Sequence, residues 1–420
     1  MDAQALRWCL LPDFDLQFSR PRMAASWRAR VRATVLRGVP WRFAPSRHSV
    51  VDGVLVVTRA VNEERVVDPL LPGRSPVSFP GLRDRPDGEA RRDPAAVELL
   101  AWAEGFLVRH GRVELLPRWR DAVWGTAHHL QRYLAADWSR FRAVVVPRQS
   151  HPFVRALIVA AEAHGVPVVF VPHSPLTHWQ VDLPVSYAGM RGVAERETIV
   201  RVMGADPVRI DVIGRPDTDL IEAPMPVLRR ELPGVVAVSP DPEWQLRELF
   251  ELVRAADVGP VVVAPHPRSD RAVLQRIVPR GWSIASTNRT LELLREGPPW
   301  LIQCSSGVAW ESAVLGIPTG DVRLGGRRPD YPFLESPVFA ALTSSDDVRR
   351  FVGAAAARDR AALRAESLGW CAIDGAAAVA RGRALIDSAD RALAGRRIAD
   401  AWAPGGVLER RSPLTSGETA

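Results

Sequence analysis

"RAVVVPRQSHPFVRALIVAAEAHGVPVVFVPHS", residues 142–174, decides the class of fold. Ala143–Val146 and Val168–Val171 are short, wholly apolar runs, and "PFVRALIVAAEAHG" between them has the length of a helix and stops at Gly165. A strand, one helix and a second strand in so short a span imply a parallel pair, because parallel strands need a crossover. Strands with no polar side imply cover on both faces. Upstream, "SVVDGVLVV" (49–57) reads as a strand, 68–95 as a Pro/Gly-rich loop, and 95–110 and 117–139 as helices. In the second helix Trp119, Val123, Ala127, Leu130, Leu134 and Trp138 recur at steps of three and four, one buried face. Downstream, a strand near 185–188, a helix near 193–203 and a strand at 209–214 complete a first doubly wound domain.

"EAPMPVLRRELP" (222–233) holds three prolines and no periodicity, which marks a linker. The alternation then restarts. The strands "GVVAVS", "GPVVVAP", "WSIAS", "PWLIQC" and "IPTGDVRL" are separated by helices at 242–256, 270–277 and 290–296 and by "SGVAWESAVLG". Helices near 345–365 and 374–395 follow. The expected class is α/β, with two doubly wound Rossmann-type domains facing an interdomain cleft, then C-terminal helices and a disordered tail. The expected division is 1–222, a linker at 223–233, a second domain at 234–370, a helix at 371–402 packing back on the first domain, and a tail at 403–420.

Bulk properties narrow the function. A chain of 420 residues exceeds one ordinary core. A net charge of +7 favours an anionic partner. All 55 basic residues are arginines and they are scattered, which argues against a nucleic-acid partner. Cys9, Cys304 and Cys371 form neither a disulfide framework nor a zinc spacing, consistent with a reducing compartment. The N-terminus lacks a signal-peptide pattern, and Glu162, His164, Gly165 and Pro167 interrupt the most apolar long segment, so a cytoplasmic location is expected. "SWRARVRATVLRGVPWRF" (26–43) mixes tryptophan and arginine without acids. It reads as a peripheral contact with the inner face of a membrane, as a grip on a lipid-linked acceptor, or as a basic helix packed on the domain surface.

Ligands of open parallel sheets bind beyond the C-terminal strand ends, and three strands here end in unusual chemistry. "VVFVP" runs into His173, Ser174 and Pro175, with His178 close behind. "VVVAP" runs into His266, Pro267 and Arg268, a hydrogen-bonding ring, a fixed turn and a cation suited to a diphosphate. "WLIQC" runs into Ser305, Ser306 and Gly307, which open a helix carrying Glu311. Small hydroxyl residues there either cap the helix or leave N–H groups for a phosphate. "DFD" (13–15) and "DTD" (217–219) mimic a metal motif but lie too early and in a linker-facing loop, so no metal is expected.

Taken together, these motifs resemble the GT-B glycosyltransferase superfamily. The likeness is to bacterial sialyl- and polysialyltransferases, capsule polysaccharide transferases and CDP-glycerol glycerophosphotransferases. His266–Pro267 resembles their HP motif, Ser305–Ser306 the serine motif about forty residues later, "ESAVLGIPTGDV" the helix and strand after it, "VPHSPLTHW" the N-domain HG loop, and "VIGRPDTD" the approach to the linker. The resemblance covers about residues 142–325. It implies a nucleotide-activated donor, of CMP or CDP type ahead of UDP or GDP, held by His266, Pro267, Arg268, Ser305, Ser306 and Gly307, with Glu311 as an outer partner. It implies His173 as the base that deprotonates an acceptor hydroxyl, with Ser174, His178, Arg215 and Asp217 lining the acceptor side. It implies neither metal nor cofactor, and a sugar or lipid-linked acceptor in cell-surface polysaccharide synthesis. The acidic D/E-D/E-G motif of the sialyl branch has no copy; "VVDGVL" around Asp52 is the nearest string. A UDP-GlcNAc 2-epimerase-like enzyme and a catalytically degenerate GT-B scaffold are the alternatives.

Overall fold

A computed structural model describes residues 5–7, 9–10, 47–79, 91–109, 111, 113–149, 151–177, 185–203, 210–286, 289–326 and 328–394. His178, segment 26–43, "DFD" and the tail from 403 lie outside the described residues. The strands are β1 (Arg47–Val51), β2 (Val54–Thr58), β3 (Ser75–Pro76), β4 (Ala143–Val146), β5 (Val168–Phe170), β6 (Tyr187–Met190) and β7 (Ile210–Val212), followed by β8 (Gly234–Ala237), β9 (Val261–Ala264), β10 (Ser283–Ile284), β11 (Leu301–Gln303), β12 (Thr319–Val322) and β13 (Phe339–Leu342).

The first sheet has the order β3-β1-β2-β4-β5-β6-β7 and is parallel from β2 onward. The run 49–57, expected as one strand, is a hairpin, with Val51 facing Val54 across Asp52–Gly53. Both turn residues have positive φ (47° and 72°), the conformation a tight two-residue hairpin demands and an Asp-Gly pair supplies. Asp52 therefore sits at the edge where the parallel strands begin, opposite His173, and offers no acidic group to a site at their ends.

Both faces of this sheet are covered, as its apolar strands require. Leu55, Val57, Val144 and Val146 pack with helices Pro94–Arg109, Leu116–Leu134 and Pro152–Ala163. Val54, Val56, Val145 and Val169 pack on Leu385 and Ile386 of helix Gly375–Asp387. The tryptophan-bearing face is buried as read, but the helix ends at Leu134 and Trp138 packs from the following turn, its indole N–H donating to the Tyr133 carbonyl at 2.7 Å.

The second sheet is wholly parallel, β10-β9-β8-β11-β12-β13. Numbered from β8, this is the order 3-2-1-4-5-6 of dinucleotide-binding sheets. The helix expected over 345–365 is two helices, Ser345–Ala355 and Arg360–Ser367, each with its own side-chain N-cap, Ser344 and Asp359. The helix expected over 374–395 ends at Asp387, and a short 3₁₀ turn follows at Arg391–Leu393.

The chain passes between the sheets twice, and the two passages lie side by side. Arg215 N–H donates to the Ile373 carbonyl and Gly375 N–H to the Thr218 carbonyl, both at 2.7 Å. Arg360 and Arg364 clasp the proline-rich linker, donating to the carbonyls of Pro226, Ile221 and Ala223. The linker is thus fastened to the second domain by arginine side chains on its backbone carbonyls, which its own composition does not advertise.

Candidate functional site

The second sheet reverses its strand order between β8 and β11. A cavity of about 310 Å³ opens there, beyond the C-terminal ends of β8, β9, β11 and β12. The loop after β8 gives it Ser239–Asp241, the loop after β9 gives His266 and Arg268, and the loop after β11 gives Cys304–Gly307. Val322–Leu324, Arg328, Asp330 and Tyr331 close it on the β12 side. Among the residues anticipated for nucleotide binding, the cavity therefore gathers His266, Arg268, Ser305, Ser306 and Gly307.

His266 is half-buried. Its Nδ1 accepts the Arg268 N–H at 3.1 Å, which leaves Nε2–H as a donor. Burial, and then the Arg268 charge, push its pKa below the ordinary histidine value, so the ring is neutral near pH 7. Pro267 is exposed and shapes the turn without lining the cavity. Arg268 is exposed and has no carboxylate partner among the described residues. The other two guanidiniums are held from behind. Arg328 is paired with Glu335 at 2.6 Å, and Arg323 lies 3.6 Å from Asp321.

The Ser305–Ser306–Gly307 turn differs from an open cradle of N–H groups. Ser305 takes a left-handed conformation (φ 47°) and donates its N–H to Asp321 Oδ1 at 3.0 Å. Ser306 N–H donates to Gln303 Oε1, and Gln303 Nε2 donates to Asp321 Oδ1 at 2.9 Å. The helix that follows, Val308–Val314, is only seven residues long. Two backbone donors are therefore spent inside the protein, and the turn presents hydroxyls instead. Ser305 Oγ accepts the Asp330 N–H at 3.2 Å and Ser306 Oγ the Val308 N–H at 3.4 Å, so each keeps its own hydrogen to donate. Asp321, fully buried, underlies this turn; burial pushes its carboxyl up to about 6, against the pull of Ser305 N–H, Arg323 and Gln303.

Glu311, anticipated beside the nucleotide, faces elsewhere. Its Oε1 accepts from Arg215 Nη1 at 3.1 Å, and Arg215 also grips Asp217 through two nitrogens at 3.2 and 3.1 Å. The Arg215 guanidinium lies 5.2 Å from the ring centre of Trp310. Arg215, Asp217 and Glu311 are thus one interdomain ion cluster, and none of them lines the cavity. The physical reason is helical phase: Glu311 projects from a face of Val308–Val314 that meets the outgoing chain at Arg215.

On the first sheet, the loop after β5 carries His173 and Ser174, both half-buried. His173 Nδ1 donates to the Pro147 carbonyl at 2.7 Å, and Nε2 lies 3.3 Å from Arg148 Nη2, which can only donate. The lone pair that a general base would use is therefore occupied. Desolvation, and more weakly Arg148 and Arg191, lower the His173 pKa, while the Pro147 carbonyl and Glu63 oppose this. The loop itself is fixed by Glu195, which accepts the Leu176 N–H at 2.9 Å and pairs with Arg191 at 3.1 Å, both buried. Its Pro175 faces the serine turn, since a Cβ added at Gly307 would meet Pro175 Cγ at 3.3 Å. The His173 loop thus abuts the cavity's rim without contributing to its lining.

Sequence reasoning missed Ser239, Asp241, Arg323, Arg328 and Asp330. The strand-end rule would have found the first two in "VAVSPDPEW", and "DVRLGGRRPDY" after β12 is equally polar and glycine-rich. Among the described residues no cluster of three or more His, Cys, Asp or Glu could hold a metal ion, and no helix is long and apolar enough to cross a membrane.

No protein-family model matches the chain, and no curated protein matches it. Among solved structures it is similar to the Methanocaldococcus jannaschii UDP-GlcNAc 2-epimerase in complex with UDP-GlcNAc and UDP, with TM-score 0.42, 14% identity, and 63% of this chain and 80% of that one covered. It is similar to CalG4, the calicheamicin glycosyltransferase, with TM-score 0.41, 14% identity, and 70% and 80% covered. It is also similar to the wall teichoic acid polymerase TagF, with TM-score 0.36, 11% identity, and 62% and 85% covered. At these values none of the similarities assigns a reaction to this chain.

Proposed function

We propose that this protein is a GT-B-type transferase that moves a glycosyl or glycerophosphate-like group from a nucleotide-activated donor to an acceptor hydroxyl, in cell-surface polysaccharide or glycoconjugate synthesis on the cytoplasmic side. The observation that carries the reading is the cavity at the strand-order reversal of the second sheet. It combines the Nε2–H of His266, the hydroxyls of Ser305 and Ser306 and three guanidiniums, a set suited to phosphate oxygens, with Asp241 and Asp330 as acceptors for ribose hydroxyls. The donor phosphate would leave into this cavity, neutralised by Arg268. His173, on the loop that touches Gly307, would take the acceptor's proton at Nε2 once Arg148 moves aside. A CMP- or CDP-type donor is the first choice, and UDP or GDP the second.

Calorimetric titration of the full chain with CMP, CDP, UDP, GDP and dTDP tests this reading. Saturable binding of one nucleotide, weakened at least tenfold by His266→Ala, is the expected result. If no nucleotide binds, the transferase assignment fails. A second reading rests on the two cavity carboxylates, which an epimerase acting on a nucleotide sugar also needs. Product analysis separates the two, because an epimer forms without an acceptor and a transfer product requires one.

A further inference from the structure

The C-terminal edge of the first sheet carries unmet hydrogen-bonding capacity of its own. Gln149, directly after β4, is 3% exposed, yet neither its side-chain oxygen nor its nitrogen has a hydrogen-bond partner. Beside it in sequence, Arg148 rests its Nε 2.5 Å from Glu63 Oε1, but neither atom reaches hydrogen-bond geometry. The Arg148 side chain is 33% exposed, while Glu63 beneath it is 1% exposed, so a ligand arriving from solvent meets the guanidinium first. The second prong of that guanidinium is on His173 Nε2. Buried polar groups are seldom left unpaired in a folded protein, and a cluster of them at strand ends points to a missing ligand.

Charge gives the class of that ligand. Arg59 after β2, Arg148 after β4 and Arg155 on the next helix all act electrostatically on His151, and Glu63, the anion paired with Arg148, acts on Arg59 as well. His151 and His173 both have lowered pKa values, which keeps them neutral near pH 7. The cation that meets solvent at this edge is the Arg148 guanidinium, a donor-only group, and an oxyanion complements it.

We propose that these strand ends form an oxyanion subsite centred on Arg148 and Gln149, which holds a carboxylate or phosphate of the acceptor and, in drawing Arg148 away, uncovers Nε2 of His173. The acceptor role rests on the transferase reading above; the subsite itself does not. An anion between Arg148 and Gln149 would take guanidinium donors on one side and the amide N–H on the other. Arg148 would then be a positioning residue, since it governs when His173 can accept a proton.

The test is calorimetry on the full-length protein with inorganic phosphate, methyl β-glucuronide and the neutral methyl β-glucoside. Expected is saturable binding of at least one anion and none of the neutral glycoside; which anion binds separates phosphate-bearing from carboxylate-bearing acceptors. Arg148→Gln should abolish the glucuronide binding and the phosphate binding that survives in His266→Ala, and Gln149→Leu should weaken both several-fold. Arg148→Lys keeps a charge over Glu63, guards against misfolding, and should weaken binding about tenfold, because an ammonium lacks the planar fork. His266→Ala, which weakens phosphate at the second-sheet cavity, should spare the binding that Arg148→Gln removes. Absence of anion binding, or binding that His266→Ala removes and Arg148→Gln spares, overturns the proposal. Nucleotide titration of the same samples reports separately on the transferase reading.

Discussion

Arg215 and Glu311 meet at 3.1 Å where the chain first leaves one sheet for the other, and both side chains are largely buried, at 18% and 23% exposure. Glu311 stands on the helix after the serine turn, and Arg215 on the outgoing segment, which pairs with the returning one at Asp374. The Asp217 contact and the Trp310 ring complete the seat of the guanidinium, whose pKa these two carboxylates raise despite its burial. Removing one member of a buried ion cluster strands the others. Arg215→Ala should therefore cost about 3 kcal/mol, and Glu311→Gln, which leaves Asp217 in place, about 1 kcal/mol. Differential scanning calorimetry should show the ordering; equal and negligible effects would mean that the cluster does not join the domains.

Cavity and base residues should separate in binding. His266→Ala and Arg268→Ala are expected to weaken nucleotide affinity about tenfold each, the scale of one charge-assisted contact. His173→Ala should leave that affinity within about twofold, because His173 does not line the cavity, while abolishing most turnover. Loss of nucleotide affinity in His173→Ala would place the donor elsewhere than the second sheet.

The pH dependence of turnover follows from the depressed His173 pKa. A base must be unprotonated, so a lowered pKa keeps it active below the usual histidine midpoint. The acid limb of kcat/KM should accordingly fall below pH 6.5. An acid limb at or above that value would assign the proton acceptor to another group.

Asp321 gives a stability signature of the opposite sense to an ordinary salt-bridged carboxylate. Its folded pKa, near 6, lies above the unfolded value, so the native state holds a proton that the unfolded state has lost between about pH 4 and 6. Stability from this group is full below the unfolded pKa and falls as pH rises through the folded one. Asp321→Asn should therefore gain relative to wild type by about 2–3 kcal/mol between pH 4 and pH 7. Urea denaturation at both pH values measures it, and a constant difference would refute the burial argument.

Gly214 marks where the two interdomain passages touch. Its φ is +80°, and an added Cβ would fall 2.0 Å from the Ile373 carbonyl oxygen. Backbone cannot yield as a side chain can, so Gly214→Ala should destabilise the protein by about 3 kcal/mol or more. A change under about 1 kcal/mol in chemical denaturation would mean that the passages separate freely.

Much of the fold was legible because its signals are local. Apolar runs of four residues with a helix between them dictate parallel strands wherever they occur, and the strand-end rule then led to His266, Arg268 and the serine turn. The hairpin at 47–58 was missed because its Asp-Gly turn lies inside an otherwise continuous apolar run, although that dipeptide is itself the signal. Glu311 was misplaced because spacing along a helix fixes which residues share a face but not which neighbour the face meets.

By itself the sequence determined where the strands of the two parallel sheets and most of their helices lie, that those strands are buried, and which polar residues stand at their ends, since these follow from periodicity and from the residue at which an apolar run stops. Tertiary structure alone decided that Gln303 and Asp321 occupy the N–H groups of the serine turn, that Arg148 covers the lone pair of His173, and that Arg215 spans to Glu311. Each of these is a hydrogen bond or ion pair between residues brought together by sheet order and chain return, and a buried polar atom takes whichever partner the packing puts within reach.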